Sequence, residues 1–495
     1  MYKLREMNPS LLRWVTALTI VVMFGAVSAS AKSPVVDSTQ SALENEIGTA
    51  TSVGTQAINT SKIAPFGTRA ARIAQSSQYL AVVYQYGSTI RLRSTKKEGD
   101  GAWIIFPPVL GSGSAPGLVF SNDTTVHVVW VSTNQRQILY VSCTLAVTSA
   151  SCGTPAVIAS SANQTVEAPE ITFLSGTLYV AWINSSLGQV IAARSATNGS
   201  SWQFNTTTLT APSSSGSTVA LAASSGLIHL AYGYNNSTNI KYYRSTDGST
   251  WTNSRNFGPA VGYEQVGNPT IEATGNNIYL AWDSLHNAVD LQDGFKKYAL
   301  MGILSIDGGV NWEDSNGTTP SIDDPRYITS NHAFNSGTSD DRQRTRNKDG
   351  ATPEEEAGLR PSVALTSQNR FAIVWQKRPD ASCLTDESGN NIITNGTSEI
   401  YYGAEANPAV PNSTGWWTSE VSTVEPPSTN FYSIDPDLVI DSGGNKHIVF
   451  MKSTADPDEV KCRAGGGATD YAIYYRGPYF TTIDPERVLL PVILK

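Results

Sequence analysis

Seven residues in this 495-residue chain occupy equivalent places ahead of a repeated apolar strand, and their types decide what chemistry the repeats could host. Arg69, Ala115, Ala168, Ser217, Asn268, Arg360 and Asp435 each lie fourteen or fifteen residues before the aromatic that closes such a strand. Five of them directly precede a proline, at Pro116, Pro169, Pro269, Pro361 and Pro436. Arg69, Asn268, Arg360 and Asp435 make the set polar on one side. A guanidinium binds a carboxylate through two parallel hydrogen bonds, so the arginines suit an acidic sugar. The competing reading is an Arg–Asp pair that merely closes a channel mouth.

Histidine offers less. There are five, and His127, His229 and His447 share one repeat position with Tyr179, Tyr279, Ala81 and Ala372. A position that accepts His, Tyr and Ala is a packing position, not a metal site. Arg93, Arg194, Arg244 and Arg476 recur just before a turn, as solvent-facing or capping groups. No Ser or Cys nucleophile motif accompanies a histidine, which argues against triad chemistry.

The elements that must position these residues repeat at a fixed period. The strand appears as Leu80–Tyr84, Val126–Trp130, Leu178–Trp182, Ile228–Tyr232, Ile278–Trp282, Phe371–Trp375 and His447–Phe450. The first five closing aromatics are spaced by 46, 52, 50 and 50 residues. A Pro-initiated strand precedes each copy, a third strand follows, and a fourth often starts at Trp. Four short strands per ~40–50 residues is the arithmetic of a propeller blade. The expectation is therefore an all-β chain folded as a seven-bladed β-propeller of four-stranded blades, with a six-bladed closure as the alternative. In a propeller the inner strands gather around a central channel, which makes the seven pre-strand residues candidate ligand contacts.

Ser305-Ile306-Asp307-Gly308-Gly309-Val310-Asn311-Trp312 follows the pattern S-x-D-x-G-x-x-W, and Ser245-Thr246-Asp247-Gly248-Ser249-Thr250-Trp251 is one residue shorter. Ser195 to Trp202 is a degenerate copy. Asp accepts from turn amides, Gly takes positive φ, and Trp buries a ring beneath the hairpin. These Asp boxes resemble the BNR repeats of sialidases and related propellers. The resemblance implies that Ser245, Asp247, Gly248, Trp251, Ser305, Asp307, Gly309 and Trp312 are structural. It also implies an exo-sialidase-like activity carried by three arginines, an Asp acid/base and a Tyr nucleophile paired with Glu. Arg72-Ile73 is similar to the family's arginine motif, though its flanks are Ala71 and Ala74. On this resemblance Arg69 or Arg72 with Arg360 forms the carboxylate clamp, and Asn268 completes the substrate contacts. Asp435 is the candidate acid/base, and Tyr263 with Glu264 the nucleophile pair. An exposed loop dipeptide is the plainer account of Tyr263-Glu264. The alternative function is a non-catalytic adhesion or protein-binding propeller.

Residues 1–31 read as a secretory signal peptide: Lys3, Arg5 and Arg13, an apolar run from Trp14 to Val27, and Ala29-Ser30-Ala31. Residues 32–61 read as a linker and 62–495 as the propeller, with polar insertions at about 313–358, 378–398 and 453–468. Four cysteines in an exported chain predict two disulfides, Cys143–Cys152 across one turn and Cys383–Cys462 between insertions. No cofactor is expected. Asp456, Asp458 and Glu459 offer oxygen ligands for calcium, without EF-hand spacing. The formal charge is −8 with 15% charged residues, which excludes a nucleic-acid partner. Expected instead is a secreted or cell-surface monomer meeting extracellular carbohydrate or a surface protein.

Overall fold

The recurring apolar strands are the second strands of seven antiparallel sheets. The computed structural model describes residues 51–54, 71–97 and most of 103–477, leaving out chiefly 211–217, 259–264, 287–296, 313–325, 328–356, 405–421 and 454–470. No helix occurs among the described residues, and so none that is long and apolar enough to cross a membrane. Seven inner strands, Ala71–Gln75, Val109–Phe120, Val166–Leu174, Thr218–Ser224, Gln265–Thr274, Ala357–Leu365 and Tyr432–Ile440, open blades 1 to 7. Each pairs antiparallel with the apolar strand that follows it. Each inner strand also contacts the inner strand of the next blade, and the seventh contacts the first. The ring therefore closes on seven sheets.

The second strands are buried along nearly their whole length, as in Thr125–Ser132 and Thr177–Asn184. Both faces of such a strand meet a neighbouring blade, so the sequence runs apolar without alternating. The core is correspondingly divided into seven seams. Ala71, Leu80 and Tyr84 of blade 1 pack with Ile434, Val449 and Tyr475 of blade 7. An equivalent cluster fills every other junction.

Two outer strands depart from the expected pattern. Thr51–Gly54, within the stretch read as a linker, pairs with Tyr471–Arg476 and is the outer strand of blade 7. Arg326–Tyr327, within the stretch read as an insertion, pairs with Met301 and Gly302 as the outer strand of blade 5. Trp312 does not begin a strand. It packs edge-on against Tyr242 at 4.7 Å. In blade 2, Cys143 and Cys152 face each other across adjacent strands and form the expected disulfide. The partner proposed for Cys383, Cys462, lies outside the described residues, as do the signal peptide and Asp456, Asp458 and Glu459.

Five inner strands carry a bulge at one shared place. Ala115, Ala168, Asn268, Arg360 and Asp435 have φ between +45° and +54°. Each of these residues and its proline together oppose a single aromatic: Trp130, Trp182, Trp282, Trp375 or Phe450. A left-handed residue is costly for anything but glycine, and its recurrence marks a conformation the fold enforces.

Candidate functional site

The bulge decides which side chains share the channel tier. Past it, the residue paired with the position just before each closing aromatic is Arg72, Gly117, Glu170, Ala220, Thr270, Ser362 or Asp437 in blades 1 to 7. Two residues further along each strand the next tier is Ala74, Val119, Thr172, Ala222, Glu272, Ala364 and Val439. Glu272 is its single charged member. A cavity of about 170 Å³ opens among these strands, lined by Arg72, Glu170, Asn268, Thr270, Glu272, Ser362 and Asp437 together with blade 4 residues Thr218 to Leu221.

Asp437 is held from three sides. Its Oδ2 accepts from the Ile73 amide at 2.9 Å and its Oδ1 from the Ser362 hydroxyl at 2.7 Å. Arg72 Nη1 lies 3.4 Å from Oδ1, while Nη2 of the same guanidinium pairs with Glu170. Blade 2 stands between Arg72 and Glu170, and its residue at this register is Gly117. A Cβ there would meet Pro169 O at 3.1 Å and Glu170 Cα at 3.7 Å.

Glu272 is set apart from these two carboxylates. Enclosure by protein, then the charge of Asp437, push its carboxyl up to about 7, against the opposing bond from the Ala273 amide. It keeps partial access to water, although protein surrounds it. A carboxyl poised near neutrality can be a proton donor at physiological pH.

The residues singled out from the sequence fall in several places. Arg72 and Asn268 line the cavity. Asn268 Nδ2 donates to Asp283 Oδ2 at 2.7 Å, and the same oxygen accepts from the Arg360 amide at 3.1 Å. Asp283 thus ties two consecutive bulges together. Arg360 and Asp435 are buried at their bulges, 3% and 1% exposed, and neither belongs to the cavity lining. The carboxylate that does line it, Asp437, is two residues beyond Asp435. Arg69, Tyr263 and Glu264 lie outside the described residues. Glu170, Glu272 and Asp437 escaped notice. Their signal is a carboxylate two or four residues past the bulge position, where most sibling strands carry Thr, Ser, Ala, Gly or Val.

Each of the two turns is closed on its own aspartate. Ser249 and Thr250 amides each donate to Asp247 Oδ1 at 2.8 Å, and Val310 and Asn311 amides to Asp307 Oδ1 at 3.0 and 2.8 Å. Partial burial favours the protonated acids, but these amides and the Ser245 and Ser305 hydroxyls outweigh it and hold both below the usual range. Gly248 and Gly309 sit against Tyr179 and Tyr242 of the preceding blade. Arg194 and Arg244 donate to the carbonyls of Asp247 and Gly308, so these arginines cap the turn of the next blade. Buried His127, His229 and His447 each place Nδ1 2.6–2.8 Å from a tyrosine hydroxyl, of Tyr140, Tyr242 and Tyr475. Their role is packing. Among the described residues no group of three or more His, Cys, Asp or Glu is arranged to hold a metal ion.

No protein-family model and no curated protein matches the chain. Among solved structures it is similar to the GH93 alpha-L-arabinofuranosidase of Fusarium graminearum, at 14% identity over 86% of this chain and 97% of that chain, with a TM-score of 0.43. A protein of unknown function from Dyadobacter fermentans gives 12%, 86%, 99% and 0.39. An exo-1,5-alpha-L-arabinanase from a bovine ruminal metagenomic library gives 12%, 57%, 96% and 0.33. These likenesses are low in identity and in TM-score. The architecture stands on its own strand pairing.

Proposed function

We propose that the channel is the active site of a glycoside hydrolase acting on a neutral sugar ring, with Glu272 as general acid and Glu170 as its partner carboxylate. The observation that carries this reading is the raised Glu272 carboxyl sharing a cavity with Glu170 and the Arg72-bound Asp437. Two carboxyl groups of opposite protonation flanking the scissile bond are the usual requirement for glycoside cleavage. Blade 4 stands between Glu170 of blade 3 and Glu272 of blade 5, and its small Ala220 in the lining leaves room for a ring between the acids. Glu272 delivers its proton to the leaving glycosidic oxygen as the bond from the anomeric carbon breaks. Glu170 faces the developing positive charge and takes the proton of the attacking water. Thr270, Ser362 and Asn268 are placed to bond sugar hydroxyls.

The sialidase reading is less well supported by the same residues. Arg72 is engaged by two carboxylates, Arg360 is absent from the lining, and those two carboxylates against one guanidinium repel an acidic sugar. A panel of aryl glycosides tests the choice, containing neutral furanosides, arabinofuranosides among them, neutral pyranosides and a sialoside. Turnover of a neutral member, reduced about 10²–10⁴-fold in Glu272→Gln, is expected. Turnover of the sialoside alone overturns the proposal.

A further inference from the structure

Arg72 occupies a place no other blade reproduces. The charged residues on the seven inner strands are Arg72, Glu167, Glu170, Glu272, Arg360, Asp435 and Asp437. Arg360 sits at a bulge outside the cavity lining, so among the described residues Arg72 is the one guanidinium that lines it. Its two terminal nitrogens go to different blades, Nη1 to Asp437 of blade 7 and Nη2 to Glu170 of blade 3. Blade 2, between Arg72 and Glu170, carries at this tier Gly117, the one residue there without a side chain. The guanidinium is 14% exposed, so its field is little screened.

Resting on the reading of the channel as a hydrolase site, we propose that Arg72 is a positioning residue that assigns the protonation states of the site. By binding Glu170 and Asp437 together it holds both at fixed orientation and keeps Glu170 the carboxylate, and it thereby leaves Glu272 as the group that carries the proton. An arginine beside a carboxylate favours the ionised form by about 1–3 pKa units. Without it, three carboxylates of one cavity compete for protons, and Glu170 and Glu272 no longer divide into base and acid. A role in shape alone predicts lost stability or lost binding, with the order of titration unchanged.

The test is carbodiimide labelling of the full-length protein across pH 4–9, read residue by residue by mass spectrometry, since the reagent modifies protonated carboxyls. In the wild type Glu272 is expected to label near neutrality while Glu170 is protected. In Arg72→Met the Glu170 labelling midpoint rises by at least one pH unit, and Arg72→Lys, which keeps the charge, restores at least half of that shift. The acidic limb of the pH–rate profile for any glycoside turned over moves in parallel. Circular dichroism confirms that each variant is folded, and Arg72→Gln, which also removes the charge, serves as the test if the methionine variant is not; the lysine variant is the control. An unmoved Glu170 midpoint in a folded variant overturns the proposal. Because labelling needs no substrate, that result is distinct from an absence of hydrolysis, which would overturn the hydrolase reading alone.

Discussion

Acid should weaken this fold well above the pH at which carboxylates titrate, through histidines that take no part in chemistry. Burial pushes His127 and His229 down from 6.5 to about 4, because both rings are fully enclosed in interblade seams. The nearby Arg244 charge adds to the effect on His229. A folded-state pKa below the unfolded one means that the unfolded chain binds the proton more readily. The stabilising contribution is therefore complete above pH 6.5 and is lost as pH falls through the window from 6.5 to 4. For one such group the linkage relation gives a loss of about 2 kcal/mol at pH 5 and about 3 kcal/mol at pH 4. The two together remove about 4 kcal/mol at pH 5, a large share of a typical 5–15 kcal/mol stability. His447 is shifted the same way by burial, against the opposing Asp441, and adds to the loss.

The perturbation is His229→Gln, which keeps a neutral polar group beside Tyr242 but cannot titrate. Urea unfolding followed by tryptophan fluorescence at pH 7.5 and pH 5 measures the difference. The wild type is expected to lose about 2 kcal/mol more than the variant over that interval, whatever the variant loses at pH 7.5. An equal pH dependence in the two proteins would refute the reasoning, since the proton uptake would then belong elsewhere.

Gly309→Ala should cost about 3 kcal/mol in urea unfolding: its φ is +80°, and the new Cβ would fall 1.9 Å from the Tyr242 hydroxyl, which His229 and Trp312 hold in place. Ala168→Gly should instead gain about 0.5 kcal/mol, because glycine relieves the left-handed strain at φ +47°, whereas Ala192→Gly in a regular strand should lose about 1 kcal/mol. Equal losses at both sites would show that the bulge carries no strain. Reduction of Cys143–Cys152, which closes a separation of nine residues, should lower stability by about 2.5 kcal/mol, seen as a lower melting temperature in reductant.

The wheel was legible because Tyr84, Trp130, Trp182, Tyr232 and Trp282 close strands at nearly constant spacing, and a doubly buried strand has little freedom to be anything but apolar. The blade 7 outer strand was not legible. Four residues, Thr51 to Gly54, pair through their backbones and need no side-chain pattern. The site was half legible. Prolines at 269, 361 and 436 mark three of the strands that line the cavity, but Arg360 and Asp435 are buried at their bulges outside the lining, and the channel tier begins two residues later. That offset is why Asp435 stood out and Asp437 did not. Glu170 and Glu272 hid for another reason: a carboxylate in a strand reads as a solvent-facing residue until the ring closes around it.

The backbone pairing of Thr51–Gly54 with Tyr471–Arg476 has a consequence for how the protein is made. The two partners are about 420 residues apart. At roughly 5–20 residues per second, a ribosome needs about 20–85 s between producing one and producing the other. For that time the apolar flank of the first blade, from Ala71 to Tyr84, has no seventh blade to cover it. An unfinished chain therefore presents an adhesive apolar edge at its oldest end until synthesis is nearly complete.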